Sequence, residues 1–169
     1  MSYAVYSTRG FILGSAPSGE ASKLYSIYTE DFGLVRAKAQ GVRLIQSKLR
    51  YGLEDYSFCA LSLVRGREVW RVTGVQSLEA GDGSAKKGEA LRARARVLNL
   101  VRRLVHGEEK NGELFDALTG LTKDDQAAEV RTLSLVLSAL GYLDLKALEG
   151  KTERETVGEI NRALKETQL

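Results

Sequence analysis

From Ser22 to Gln40 the chain alternates apolar and polar residues in two short runs, Ser22–Thr29 and Leu34–Gln40, joined by Glu30-Asp31-Phe32-Gly33. Period-2 alternation on both sides of a turn-forming tetrapeptide predicts an antiparallel hairpin with one buried and one wet face. Gly33 is the residue suited to positive φ at the end of that turn, and Glu30 and Asp31 sit in water at its tip. In the second run Val35, Ala37 and Ala39 point one way, so Arg36, Lys38 and Gln40 point the other. One face of the hairpin is apolar and the other is basic.

The positive charge continues through Arg43, Lys48 and Arg50, and no acidic residue stands between Asp31 and Glu54. A phosphate backbone is a natural partner for such a run, because each Lys or Arg that neutralises a phosphate also releases a condensed counterion. The competing reading is a solvated strand face, the ordinary use of alternating charge.

Around the hairpin, Tyr3–Leu13 reads as a strand with a bulge or bend at Arg9-Gly10, and Gly14–Glu20 as a loop. Beyond it, Tyr51–Asp55 is irregular, Tyr56–Val64 is a buried strand carrying Phe58, Ala60, Leu61 and Leu63, Arg65-Gly66-Arg67 is a turn, and Val69–Leu78 closes a fifth strand. Five short strands with a longer insertion after the third suggest an OB-fold, the small Greek-key barrel whose second and third strands bind oligonucleotides. Strand count alone leaves other small barrels open. Tyr25 and Tyr28 lie on opposite faces of the second strand, so at most one is a stacking platform for a base, and Tyr25 is the candidate. Trp70 belongs in the core. Arg65 and Arg67 flank the turn between strands four and five, a loop that OB-folds use for binding, unless they are simply exposed.

Glu79–Gly88 is small, polar and glycine-rich and reads as a linker. Its Gly83–Gly88 stretch is no phosphate loop, since Glu89 follows where Lys and then Ser or Thr are needed. From Glu89 the period turns helical. Leu91, Ala95, Leu98, Val101, Leu104 and Val105 line one side of a helix ending near Gly107. Helices follow over 112–118, over 124–140 with Val130, Leu133, Leu137 and Leu140 facing a core, and over 153–167 through Val157, Ile160 and Leu164. The predicted organisation is α+β: a small five-stranded barrel over 1–80, a linker over 81–88 and a small helical bundle over 89–169.

Charge follows that division. Residues 1–80 carry ten Lys and Arg against seven Asp and Glu, while 81–169 are balanced, so the net +3 lies in the barrel half. Arg92, Arg96 and Arg103 share a side of the first helix; they either receive an acidic peptide or pair with Glu89, Glu108 and acids of neighbouring helices. No stretch is apolar enough to span a membrane and the amino terminus lacks a signal-peptide pattern, which predicts a cytoplasmic protein. Cys59 is the only cysteine and His106 the only histidine, too few for a structural zinc cluster, and no catalytic constellation or cofactor motif stands out.

The order Gly10-Phe-Ile-Leu, Gly19-Glu20, Phe32-Gly33-Leu34, Ala39-Gln-Gly41-Val-Arg43, Ser47 and Leu53 resembles the amino-terminal domain of RecO-type recombination mediator proteins. Many weak matches in one register over about eighty residues carry the resemblance. Gln40 stands where the family usually has Lys, and Ser22 where it commonly has Asp. The resemblance implies an OB domain followed by a helical domain and no enzymatic activity. It also implies binding of single-stranded and duplex DNA, strand annealing, and recombinase loading with a RecR-type partner. The helical domain is then the one that engages the C-terminal tail of single-stranded-DNA-binding protein. The four-cysteine zinc element of some members is missing, which makes this a short, zinc-less member. The residues proposed to meet DNA are Arg36, Lys38, Arg43, Lys48, Arg50, Arg65, Arg67 and Tyr25; Arg92, Arg96 and Arg103 are proposed to meet a partner. The alternative is an adaptor whose helical half binds an acidic peptide and whose barrel has little affinity for DNA.

Overall fold

The computed structural model describes residues 4–79, 87–122 and 128–167. The chain divides into two compact units: Met1–Ser84 with Leu104–Lys110, and Ala85–Arg103 with Asn111–Leu169.

The first unit is a five-stranded OB-fold. Its strands β1 (Val5–Pro17), β2 (Lys23–Thr29), β3 (Gly33–Ala39), β4 (Phe58–Val64) and β5 (Trp70–Ser77) close in the order β1-β2-β3-β5-β4. All neighbours are antiparallel except β3 and β5, which run parallel through Ala37 beside Trp70 and Lys38 beside Arg71. That parallel joint closes the Greek key and removes the free edges a five-stranded sheet would otherwise expose. Alternation fills the interior: Ile12, Tyr25, Ile27, Val35, Ala37, Cys59, Leu61, Leu63, Trp70 and Val72 form one buried cluster.

The bend in β1 lies further along than expected. The pairing with β2 slips between Ile12 and Gly14, not at Arg9-Gly10. Gly10 serves packing: a Cβ there would stand 3.0 Å from the Ile27 side chain and 3.1 Å from the Tyr28 carbonyl oxygen. The strand then continues through the residues expected to form a loop and ends at Pro17, a terminal position where a missing N–H costs the ladder little.

Of the expected linker, Lys87 and Gly88 open the first helix, and residues 80–86 lie outside the described ones. The second unit contains α1 (Lys87–Leu104), α2 (Gly112–Thr119), α3 (Ala128–Ala139) and α4 (Glu153–Glu166), with α3 packed on both α2 and α4. Asn111 caps α2 by accepting from the Leu114 N–H at 3.0 Å, and Thr152 with Glu155 forms a capping box on α4. The acidic start expected for α3 falls outside the described residues. Its end is a Schellman turn in which the Tyr142 N–H donates to the Leu137 carbonyl at 2.8 Å and Gly141 takes φ +79°. On α1 the buried side chains are Val97, Leu98 and Val101, whereas Leu91 is 42% exposed. The buried stripe begins a turn and a half after Leu91, so that leucine extends a periodic pattern past the packed part of its helix. Likewise Ile160 and Ala163 anchor α4 while Val157 stays exposed.

Candidate nucleic-acid interface

The hairpin forms as its alternation requires. Ser26 faces Arg36 and Leu24 faces Lys38 on the outer side, while Ile27 faces Val35 and Tyr25 faces Ala37 inside. At the turn, Gly33 adopts φ +65° and the Thr29 hydroxyl both donates to the Gly33 carbonyl (2.9 Å) and accepts from the Phe32 N–H (3.1 Å). The acidic tip is engaged from within the unit. Arg9 donates two hydrogen bonds to Glu30, at 2.7 and 2.8 Å. Asp31 accepts from the Thr8 hydroxyl at 2.8 Å and from Lys110 at 3.2 Å. The Arg9 hydrogen bond holds the Glu30 carboxyl below its ordinary range, and those from Thr8 and Lys110 do the same for Asp31. These two carboxylates are matched where they stand.

On the outer face, Arg36 is exposed and Lys38 half-buried, and the parallel β3–β5 joint sets exposed Arg71 beside Lys38. None of these three cations forms an ion pair among the described residues. Arg71 is not among the cations that the sequence pattern singles out. The only signal for it is topological: an OB barrel places strand five next to strand three, far away in sequence.

The segment between β3 and β4 leaves Arg43, Lys48 and Arg50 exposed. Arg43 is tied down, its N–H donating to the Ala21 carbonyl at 3.0 Å and its guanidinium to the Gly19 carbonyl at 3.4 Å. Arg43 and Arg50 join Lys23, Tyr51, Glu54 and Asp55 around a cleft of about 600 Å³ at one end of the barrel. Tyr25 also reaches this cleft, but its ring is only 2% exposed and belongs to the barrel core. Burial, with the Asp55 charge nearby, pushes its phenol up to about 12. A base cannot stack on a ring packed between strands, which removes Tyr25 as a platform; the barrel needs its volume.

Arg65 and Arg67 part company. The Arg65 guanidinium lies 5.3 Å from the centre of the Trp70 ring and 3.2 Å from Glu108, whose other oxygen accepts from the Trp70 indole N–H at 2.9 Å. Arg67 is exposed. On α1, Arg96 makes two 2.7 Å hydrogen bonds to Glu129 and lies 3.6 Å from Glu89, which also stands 3.9 Å from Arg92. Arg103 is exposed. Cys59 is fully buried, and burial together with Glu79 pushes its thiol up to about 12, so it stays a neutral core group.

Comparison with known proteins agrees with the OB-fold of the first unit. Residues 1–80 match the family described as Recombination protein O N terminal. The DNA repair protein RecO of Rubrobacter xylanophilus is 32% identical over 126 residues, covering 73% of this chain and 51% of the relative. The chain belongs to the RecO family. The RecO of Gloeothece citriformis is 32% identical over 129 residues, covering 76% and 46%. That of Bifidobacterium adolescentis is 30% identical over 148 residues, covering 88% and 54%. The similarity therefore extends beyond the barrel into the helical unit, and this RecO-type chain spans about half the length of the curated relatives it matches. Among the described residues no helix is long and apolar enough to cross a membrane.

Proposed function

We propose that this chain acts in DNA repair as a recombination mediator that binds single-stranded and duplex DNA through the outer face of β2–β3 and the segment that follows. The observation that carries the reading is the row Arg36, Lys38 and Arg71 on the outside of a closed OB barrel, without an acidic partner among the described residues. Cations that the fold does not neutralise are available to phosphates, and each phosphate contact adds affinity largely without regard to sequence. The mechanism is electrostatic and geometric. Fixed cations offset the repulsion between two strands, so that complementary bases meet and anneal, and no covalent step is involved. In the same reading a RecR-type partner joins the chain to load recombinase. The helical unit engages the C-terminal tail of single-stranded-DNA-binding protein through Arg92 and Arg103, since Arg96 is already held by Glu129.

Fluorescence anisotropy of a labelled single strand across a salt series tests the DNA contact, with Arg36→Glu plus Lys38→Glu as the variant and circular dichroism to establish that both proteins fold. The expected result is salt-sensitive binding that the variant loses by on the order of tenfold or more at low salt. Absence of wild-type binding at low salt overturns the reading and leaves the adaptor in its place.

A further inference from the structure

The cleft at the end of the barrel has a composition that the proposed phosphate contacts do not explain. It is lined by the cations Lys23, Arg43 and Arg50 and also by Glu54 and Asp55, and no ion pair joins the two sets among the described residues. Tyr51 stands on the same cleft and is 75% exposed, although a tyrosine ring in water leaves a large apolar surface unburied. Within the same segment Val42 and Leu53 are buried, at 3% and 4% exposed, so the neighbours of these side chains are anchored in the barrel while the side chains themselves face solvent.

An unpaired nucleotide satisfies each of these features. Its phosphates take the cations, its base stacks on an aromatic face, and its Watson–Crick edge offers N–H donors to carboxylates. The volume, about 600 Å³, falls within the roughly 300–1,000 Å³ typical of small-ligand sites. A base in a duplex is already stacked and paired and cannot enter. We infer that this cleft is a nucleotide subsite that holds one unpaired base of a DNA strand on the Tyr51 ring, among the cations Lys23, Arg43 and Arg50 and the carboxylates Glu54 and Asp55. The inference rests on the DNA-binding reading above and adds to it a structural reason for preferring single strands: phosphate contacts are shared with duplex DNA, whereas the stacked base is not.

Tyr51→Ala and Tyr51→Phe, assayed by anisotropy on a single strand and on a duplex of the same length, test it. Tyr51→Ala should weaken single-strand binding about tenfold, as loss of one stacked base does, and leave duplex binding unchanged, while Tyr51→Phe keeps both. In Tyr51→Trp the new indole should be quenched when single strand is added, a readout of direct stacking independent of affinity. If the wild type binds DNA but Tyr51→Ala has no effect, or weakens duplex binding equally, the cleft is no base site while the DNA-binding reading stands. If the wild type binds neither DNA, both fall together.

Discussion

The cations on the outer face of the barrel and those on the first helix are the same chemical groups put to different uses. Arg36, Lys38 and Arg71 line up along neighbouring strands with no acidic partner among the described residues. On α1, Arg96 is gripped by Glu129 and approached by Glu89, and Arg94 donates to the Leu121 carbonyl at 3.2 Å. A charge count treats the two groups alike, yet Arg36, Lys38 and Arg71 stand unneutralised among the described residues, whereas Arg96 spends its charge on acids of its own unit. What distinguishes a binding cation from a structural one is the partner that the fold supplies, and this differs between the two halves of one chain.

DNA affinity separates the two groups of cations most strongly. Reversing Arg36 and Lys38 to Glu should remove most low-salt binding. Converting the same residues to Ala should flatten the plot of log affinity against log salt by about 0.7 for each phosphate of a single strand that is no longer neutralised. Reversing Arg96 should change DNA affinity by less than about twofold, because its charge is already offset, while lowering the thermal midpoint of the protein. Equal losses from both reversals would show that total charge, and not its internal pairing, governs binding.

Acid sharpens the same contrast. Hydrogen bonds from Arg96 hold the Glu129 carboxyl low, and those from Thr8 and Lys110 hold Asp31 low. A carboxyl whose folded pKa is depressed contributes stability above its unfolded value, near 4, and that contribution is lost as pH falls through the folded value. Stability should therefore be level from neutrality to about pH 5 and decline below it. Glu129→Gln and Asp31→Asn should each lower stability at pH 7 and flatten part of that decline, as chemical denaturation at pH 7 and pH 4 will reveal. Arg36, Lys38 and Arg71 have no carboxylate partner among the described residues, so any loss of DNA binding in acid should track unfolding.

How much of this is legible in the sequence differs between the halves for a physical reason. The hairpin is readable because period-2 alternation puts Arg36 and Lys38 outside as soon as Val35, Ala37 and Ala39 go in. The OB order follows from five strands together with the family resemblance, whereas the bulge after Ile12 has no signal that favours Gly14 over Gly10. The fate of Tyr25 is hidden, since alternation says which face a ring is on but not whether that face is solvent or core. Pairings such as Arg96 with Glu129, thirty-three residues apart, depend on how helices pack, and no local pattern records them. Tyr51 carries no signal either, because the stretch around it is irregular and has no period from which to infer exposure.

The smallest expected effect lies where both uses of a cation meet. Its place in the turn between β4 and β5 marks Arg65 as a binding residue, but its guanidinium lies over the Trp70 ring and is matched by Glu108, which also accepts from the Trp70 indole. Leu104–Lys110, which carries Glu108, belongs to the same compact unit as the barrel, and the Leu34 N–H donates to the Gly107 carbonyl at 3.2 Å. A Cβ on Gly33 would collide with the Glu109 backbone, so the segment lies directly on the hairpin turn. Arg65 is thus a cation whose charge a carboxylate of its own unit already matches. Arg65→Ala should alter DNA affinity by less than about twofold, as a screened surface pair gives up little, while changing the emission of Trp70, the only tryptophan. Glu108→Gln should do the opposite to affinity, raising it slightly by releasing Arg65 toward phosphate. Should Arg65→Ala weaken DNA binding as much as loss of Lys38 does, then pairing within the fold does not withhold a cation from DNA, and the distinction between the two groups of cations must be abandoned.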